Sequence, residues 1–129
     1  MLGEHMKYIW LCILVLCLGG CGKQPIDSDF QQYEARFSDI PIPFHVTPLK
    51  NSTSASSCAF VLEESQEKSA QFYLREMERM GWRLISEFQG FETVLVFEKL
   101  ERICTVSVRP LRQDKKPSVQ VYIIQMQKL

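Results

Sequence analysis

The stretch SQEKSAQFYLREMERMGW, residues 65–82, decides the fold because it predicts an amphipathic helix that needs a second layer to pack on. Its apolar residues recur at intervals of three and four, which places them on one side of a helix. They are Ala70, Tyr73, Leu74, Met77 and Met80. We expect this stripe to lie against a sheet.

Both ends of the helix are marked in the sequence. Ser65 can cap the first turn, and Glu67 places a negative charge where the helix dipole favours an anion. Gly81 fits the left-handed residue that ends many helices, and Trp82 falls where a Schellman motif packs it back onto Met77. The sequence therefore predicts a helix between Ser65 and Gly81.

Five strand-like runs accompany the helix. One precedes it, in SCAFVLEE from Ser57, and four follow it, at residues 83–88, 93–99, 102–109 and 118–126. The connections between the last four runs are short, so we expect neighbouring strands to run antiparallel. The predicted fold class is α+β: a two-layer sandwich in the order strand, helix, four-stranded antiparallel meander.

Alternation along the strands sorts the side chains into two faces. The face that we expect under the helix carries Leu84, Phe88, Val94, Val96, Cys104, Val106, Val108, Val119, Val121 and Ile123. The other face carries Ile85, Leu95, Phe97, Ile103, Tyr122 and Ile124, mixed with polar residues. A sheet face open to water would normally be more polar than this second face.

Two interpretations of the second face remain open. It can be a docking surface for another protein or for a second copy, with Phe97, Tyr122 and Ile124 as contact residues. Alternatively, the proline-containing segment FSDIPIPFHVTPL, residues 37–49, folds back and covers it with its own aromatic and aliphatic side chains.

The N-terminal residues have the form of a leader. The apolar run from Tyr8 to Leu18 follows Lys7 and is too short to span a bilayer, but it suits the apolar region of a signal peptide. The next residues, LGGC, resemble the lipobox of bacterial lipoproteins. This resemblance implies cleavage between Gly20 and Cys21 and a lipid on Cys21, and Gly22 then favours sorting to the outer membrane.

The chain divides into four parts on this basis. We expect a lipoprotein signal peptide at 1–20, an acylated cysteine and flexible tether at 21–36, a Pro/Ser-rich extended segment at 37–56 and the folded domain at 57–129. Several acyl chains on one residue give stable membrane anchoring. With 15 basic and 15 acidic residues and no basic cluster, the composition gives no support for nucleic-acid binding.

Candidate chemistry is sparse. His45 stands alone in a proline-rich segment, and the adjacent pair Glu63-Glu64 points its carboxylates apart, so no catalytic or metal-binding group is predicted. Cys58 and Cys104 remain once the leader and Cys21 are set aside. In an oxidising compartment they can form a disulfide or stay as buried thiols, and the sequence leaves both open.

Four motifs, FSDIPIP, FYLREMERMGWRLIS, LVFEK and RICTVSV, together resemble a family of small, uncharacterised bacterial lipoproteins. The resemblance covers residues 37–108 and implies no catalytic activity. We therefore expect a non-enzymatic interaction or accessory domain without a cofactor, held by its lipid on the periplasmic side of the outer membrane and meeting an envelope protein. The alternative is a lipoprotein that binds a small ligand or lipid between helix and sheet.

Overall fold

The structure is a computed structural model that describes residues 37–49, 54–112 and 116–129. Within these residues the chain forms β1 (Thr47–Pro48), β2 (Ser57–Leu62), α1 (Gln66–Arg79), β3 (Arg83–Gln89), β4 (Thr93–Lys99), β5 (Arg102–Leu111) and β6 (Ser118–Gln127). The strands form one antiparallel sheet in the order β1-β2-β6-β5-β4-β3.

The predicted α+β two-layer sandwich is wrong. Strands account for 49% of the described residues and helix for 16%, so the domain is a β-rich fold, a six-stranded antiparallel sheet with a single short helix. Two features of the chain produce this balance. Residues 47–48 add an edge strand that the sequence did not predict. In addition, β5 and β6 each extend to 10 residues, and their long hairpin forms the centre of the sheet.

The helix and its two ends are confirmed. The Ser65 side chain accepts a hydrogen bond from the backbone N–H of Lys68, as an N-cap does. At the other end, Gly81 has a φ of 90°, and the N–H of Trp82 donates to the carbonyl of Met77 at 3.0 Å. This is the Schellman arrangement, and the Trp82 and Met77 side chains both belong to the core.

The pairing of β4 with β5 sets which side chains lie under the helix. A two-residue connection joins the strands, so Lys99 faces Arg102 and, further along, Phe97 faces Cys104. Directly opposite residues of antiparallel strands share a face. Leu95 and Phe97 therefore lie on the helix side, where each is at most 1% exposed.

The predicted faces of β3 and β4 are consequently wrong in part. Val94 and Val96 lie on the face away from the helix, and Phe97, predicted as a contact residue there, is buried in the core. In β3, a bulge between Leu84 and Ser86 shifts the alternation. Leu84 therefore pairs with Phe97 on the helix side, whereas Phe88 pairs with Val94 on the other face.

The segment at residues 37–46 does not cover the second face, so that interpretation is wrong. Phe37 and Ile40 are buried in the same core cluster as Tyr73 of α1, and Ile42 packs against it. Phe44 is 90% exposed. The segment thus completes the helix side of the sheet and then continues into β1.

Apolar side chains fill the space between α1 and the sheet. Tyr73 and Met77 are fully buried there against a large set of strand residues, which are Cys58, Phe60, Leu95, Phe97, Cys104, Val106, Val108, Val119, Val121 and Ile123. The Tyr73 hydroxyl has no hydrogen-bond partner among the described residues, and burial together with the neighbouring thiols raises its pKa. Among the described residues, no helix has the length and apolar character needed to cross a membrane.

Candidate functional site

In the part of the chain that the structure describes, one face of the sheet carries no helix, and we call it the open face. Within the described residues, α1 and the segment 37–46 both pack on the opposite side. The alternation of β3 to β6 assigns to the open face the residues Phe88, Val94, Val96, Ile103, Thr105, Ser107, Tyr122 and Ile124. It is therefore a regular sheet surface that no described element covers.

Cross-strand pairing arranges the open face in rows. One row runs Phe88, Val94, Ser107 and Tyr122, and the next runs Val96, Thr105 and Ile124. Phe88 at the sheet edge is 63% exposed, while the valines, Tyr122 and Ile124 are half-buried by their neighbours. The surface combines branched aliphatic side chains with two aromatic rings and a line of hydroxyl groups, a mixture that suits contact with a protein surface.

A polar cleft of about 300 Å³ borders the open face at the end nearest the β3–β4 connection. Glu92 accepts hydrogen bonds from the Ser107 hydroxyl and from Arg109, the latter at 3.2 Å. The hydrogen bond from the Ser107 hydroxyl lowers the pKa of Glu92. Partial desolvation acts in the opposite direction, and the hydrogen bond and charge of Arg109 add to the lowering. Its charge is thus matched by Arg109, and the hydrogen-bonding groups left at this border are those of Gln120 and Tyr122.

A second polar cluster lies on the helix side, and we call Asp39, Trp82, Lys99 and Arg102 the Asp39 clasp. Arg102 donates to both carboxylate oxygens of Asp39, at 2.5 and 3.0 Å, and Lys99 Nζ lies 3.1 Å from Oδ2. Trp82 Nε1 donates to the backbone carbonyl of Asp39 at 2.8 Å. The Arg102 guanidinium also lies over the Trp82 ring, 4.8 Å from its centroid.

The Asp39 clasp fastens the start of the described chain to the sheet. Partial burial alone would raise the pKa of Asp39, but the hydrogen bonds and charges of Arg102 and Lys99 outweigh it and lower the pKa. The four residues come from the four motifs behind the family resemblance: Asp39 and Trp82 are 43 positions apart, whereas Lys99 and Arg102 belong to neighbouring motifs. Local sequence signals identify only Trp82 among them, as part of the helix end, and the contact between the four residues appears only in three dimensions.

The larger clefts of the described surface hold no assembled catalytic group. One of about 630 Å³ borders the Asp39 clasp, but its charged residues Asp39 and Arg102 already neutralise each other. No three His, Cys, Asp or Glu residues of the described ranges lie close enough to hold a metal ion. His45 is exposed and has a φ of 60°.

The predicted site residues divide into three groups. Tyr122 and Ile124 lie on the open face, as predicted, whereas Phe97 lies in the core. Gly20 and Cys21, the predicted cleavage and lipid sites, are outside the described residues. Sequence alternation missed Val96 because its strand, TVLVF, is apolar on both sides.

Cys58 and Cys104 are both buried thiols, and no disulfide joins them in the described domain. They lie on β2 and β5, which flank β6, and Cys58 pairs with Ile123 whereas Cys104 pairs with Gln125, so their Cα atoms are separated by more than two strand spacings, that is by more than about 9.5 Å. A disulfide needs Cα atoms closer than about 7 Å. Burial raises the pKa of Cys104 to about 12, which keeps this thiol protonated and unreactive.

Comparison with known proteins gives no relative: no family model, no curated protein and no solved structure matches the chain.

Proposed function

We propose that this chain is a bacterial lipoprotein, anchored by acyl chains on Cys21, whose domain acts by binding another envelope protein through the open face. The observation that carries the binding half of the proposal is the open face itself. Its aliphatic and aromatic side chains lie on a sheet face that no described element covers. The lipobox-like sequence LGGC supports the anchoring half.

The chemistry of the open face defines the partner. Its centre is apolar, with Val94, Val96 and Ile124 between the rings of Phe88 and Tyr122. Its border offers hydrogen-bonding groups, and the Glu92–Arg109 pair there leaves little net charge. A complementary partner therefore presents an apolar patch with a polar border, and steering by charge contributes little.

Binding a protein is favoured over holding a ligand inside the domain. The space between α1 and the sheet is filled by side chains such as Tyr73 and Met77, both fully buried. The described clefts lie on the surface instead. We therefore infer that the domain acts through its surface, and the burial pattern identifies the half-apolar open face as the candidate surface.

Replacement of Cys21 tests the anchoring. Cys21→Ala is expected to accumulate as an uncleaved precursor without acyl chains, because the sulfur that accepts the lipid is gone. Cys17→Ala, within the expected leader, is the matched control and should be processed like the wild type. The measurement is mass spectrometry of the membrane fraction. A Cys21→Ala protein that is processed and fractionates with the membrane like the wild type would refute the lipoprotein assignment.

A further inference from the structure

The tip of the β4–β5 hairpin presents an unusual residue to its surroundings. Leu100 is the first of the two connecting residues, is 85% exposed and has a φ of 54°. Glycine, asparagine or aspartate is the usual residue for positive φ in such a short hairpin. A large apolar side chain is therefore held in a strained backbone conformation and faces water, a combination that points to a functional contact.

Other exposed apolar side chains lie at the same end of the sheet. Met126 faces Ile103, near the start of β5, and is 57% exposed. Leu84, at the start of β3, and Met80, at the end of α1, are each 38% exposed. The strand register brings these residues to the end that carries Leu100. Leu100 is thus joined at this end of the domain by three other exposed apolar side chains.

The described chain enters the domain at this end. Phe37 is its first described residue, and Asp39 is bound to Lys99 and Arg102, the two residues that flank the hairpin tip. Residues 22–36 separate Phe37 from Cys21. Even fully extended, this length of chain reaches at most about 55 Å. An acylated Cys21 therefore keeps the Leu100 end near lipid at a high effective concentration.

The charges at this end do not compete with an apolar contact. Arg83 and Lys128 both pair with Glu98, and Lys99 and Arg102 pair with Asp39. These four cations share two carboxylates, and the exposed Glu101 beside Leu100 adds a third acidic side chain, so one net positive charge remains among them and the contact rests on the apolar side chains.

We propose that the β4–β5 end of the domain rests on the lipid surface and inserts Leu100 among the lipids. The inference rests on the proposed anchoring through Cys21. A contact at this end makes the strands stand up from the bilayer, since the hairpin tip points along them. The open face is then turned sideways, accessible to proteins of the same membrane.

An environment-sensitive fluorophore at residue 100 tests this contact. The mature acylated protein, from Cys21 onward, carries Leu100→Cys, labelled with NBD and reconstituted into phosphatidylcholine vesicles that contain nitroxide-labelled lipid. The matched control is Phe91→Cys, because Phe91 is 67% exposed in the hairpin at the opposite end of the sheet. Cys58 and Cys104 are buried and do not compete for the label.

We expect the label at residue 100 to shift its emission to the blue and to lose fluorescence to the nitroxide, while the label at residue 91 keeps the emission it has in water. Equal quenching at both positions, or none at residue 100, would overturn the proposal. Protection of residue 100 in whole cells but not in vesicles would also overturn it, since the occupant would then be a protein. Mass spectrometry of the acyl chains shows separately whether the anchoring itself has failed.

Discussion

Phe97 and Val96 are neighbours in β4 with opposite surroundings, so truncating each to alanine tests the register of the sheet. Phe97 is 1% exposed in the core beneath α1, whereas Val96 lies half-buried on the open face. Burial of such a side chain contributes about 1.5–3 kcal/mol. With the cavity that truncation leaves, Phe97→Ala should lower the free energy of unfolding by about 3–5 kcal/mol. Val96→Ala should cost about 1 kcal/mol or less.

The assay is urea unfolding of the chain from residue 22 onward, followed by the fluorescence of Trp82, which is buried in the same core. Because small domains have only about 5–15 kcal/mol of stability, Phe97→Leu provides a milder variant, with an expected loss of about 1 kcal/mol. A Phe97→Ala variant no less stable than Val96→Ala would refute the face assignment and, with it, the open face as described.

Two further predictions concern the Asp39 clasp and the thiols. Asp39→Asn should lower the free energy of unfolding at neutral pH by about 1–3 kcal/mol, since it removes a charge that accepts three hydrogen bonds. The folded-state pKa of Asp39 is lowered, so the contribution of Asp39 to the free energy of unfolding is present above its ordinary pKa and is lost as the pH falls through the lowered value. Asp39→Asn should therefore lose less stability on acidification than the wild type. An unchanged pH profile would count against the Asp39 clasp. Cys58 and Cys104 should resist a thiol reagent in the folded protein and react in urea, and a mass lower by two hydrogens, the sign of a disulfide, would contradict the strand order.

The helix could be predicted from sequence because all its signals are local. Ser65, Gly81 and Trp82 act within one or two turns, and tertiary contacts do not need to be known to place them. The two-residue turn at Leu100 is equally local. This turn also determines the register of β4 against β5, because pairing Lys99 with Arg102 places Phe97 opposite Cys104. Alternation alone assigned Phe97 to the wrong face, because TVLVF has apolar residues on both faces of the strand.

Other features depend on long-range pairing and could not be predicted. The bulge in β3 inverts the direction of Phe88 without a glycine or proline to mark it. Strand β1 contains Pro48, which lacks a backbone donor and is tolerated because β1 is at the sheet edge. The Asp39 clasp joins residues about 60 positions apart, and no local pattern relates Asp39 to Arg102.

The most direct test of the central claim, a protein-binding open face, is photo-crosslinking in cells. A photoreactive residue replaces Val96 or Tyr122 on the open face and, as the control, Gln71 on the exposed side of α1. The account predicts that both open-face positions crosslink to the same discrete protein, identified by mass spectrometry, and that residue 71 does not. Bands shared with residue 71, no bands at all, or a product with the mass of two copies of this chain would contradict binding to another envelope protein through this face.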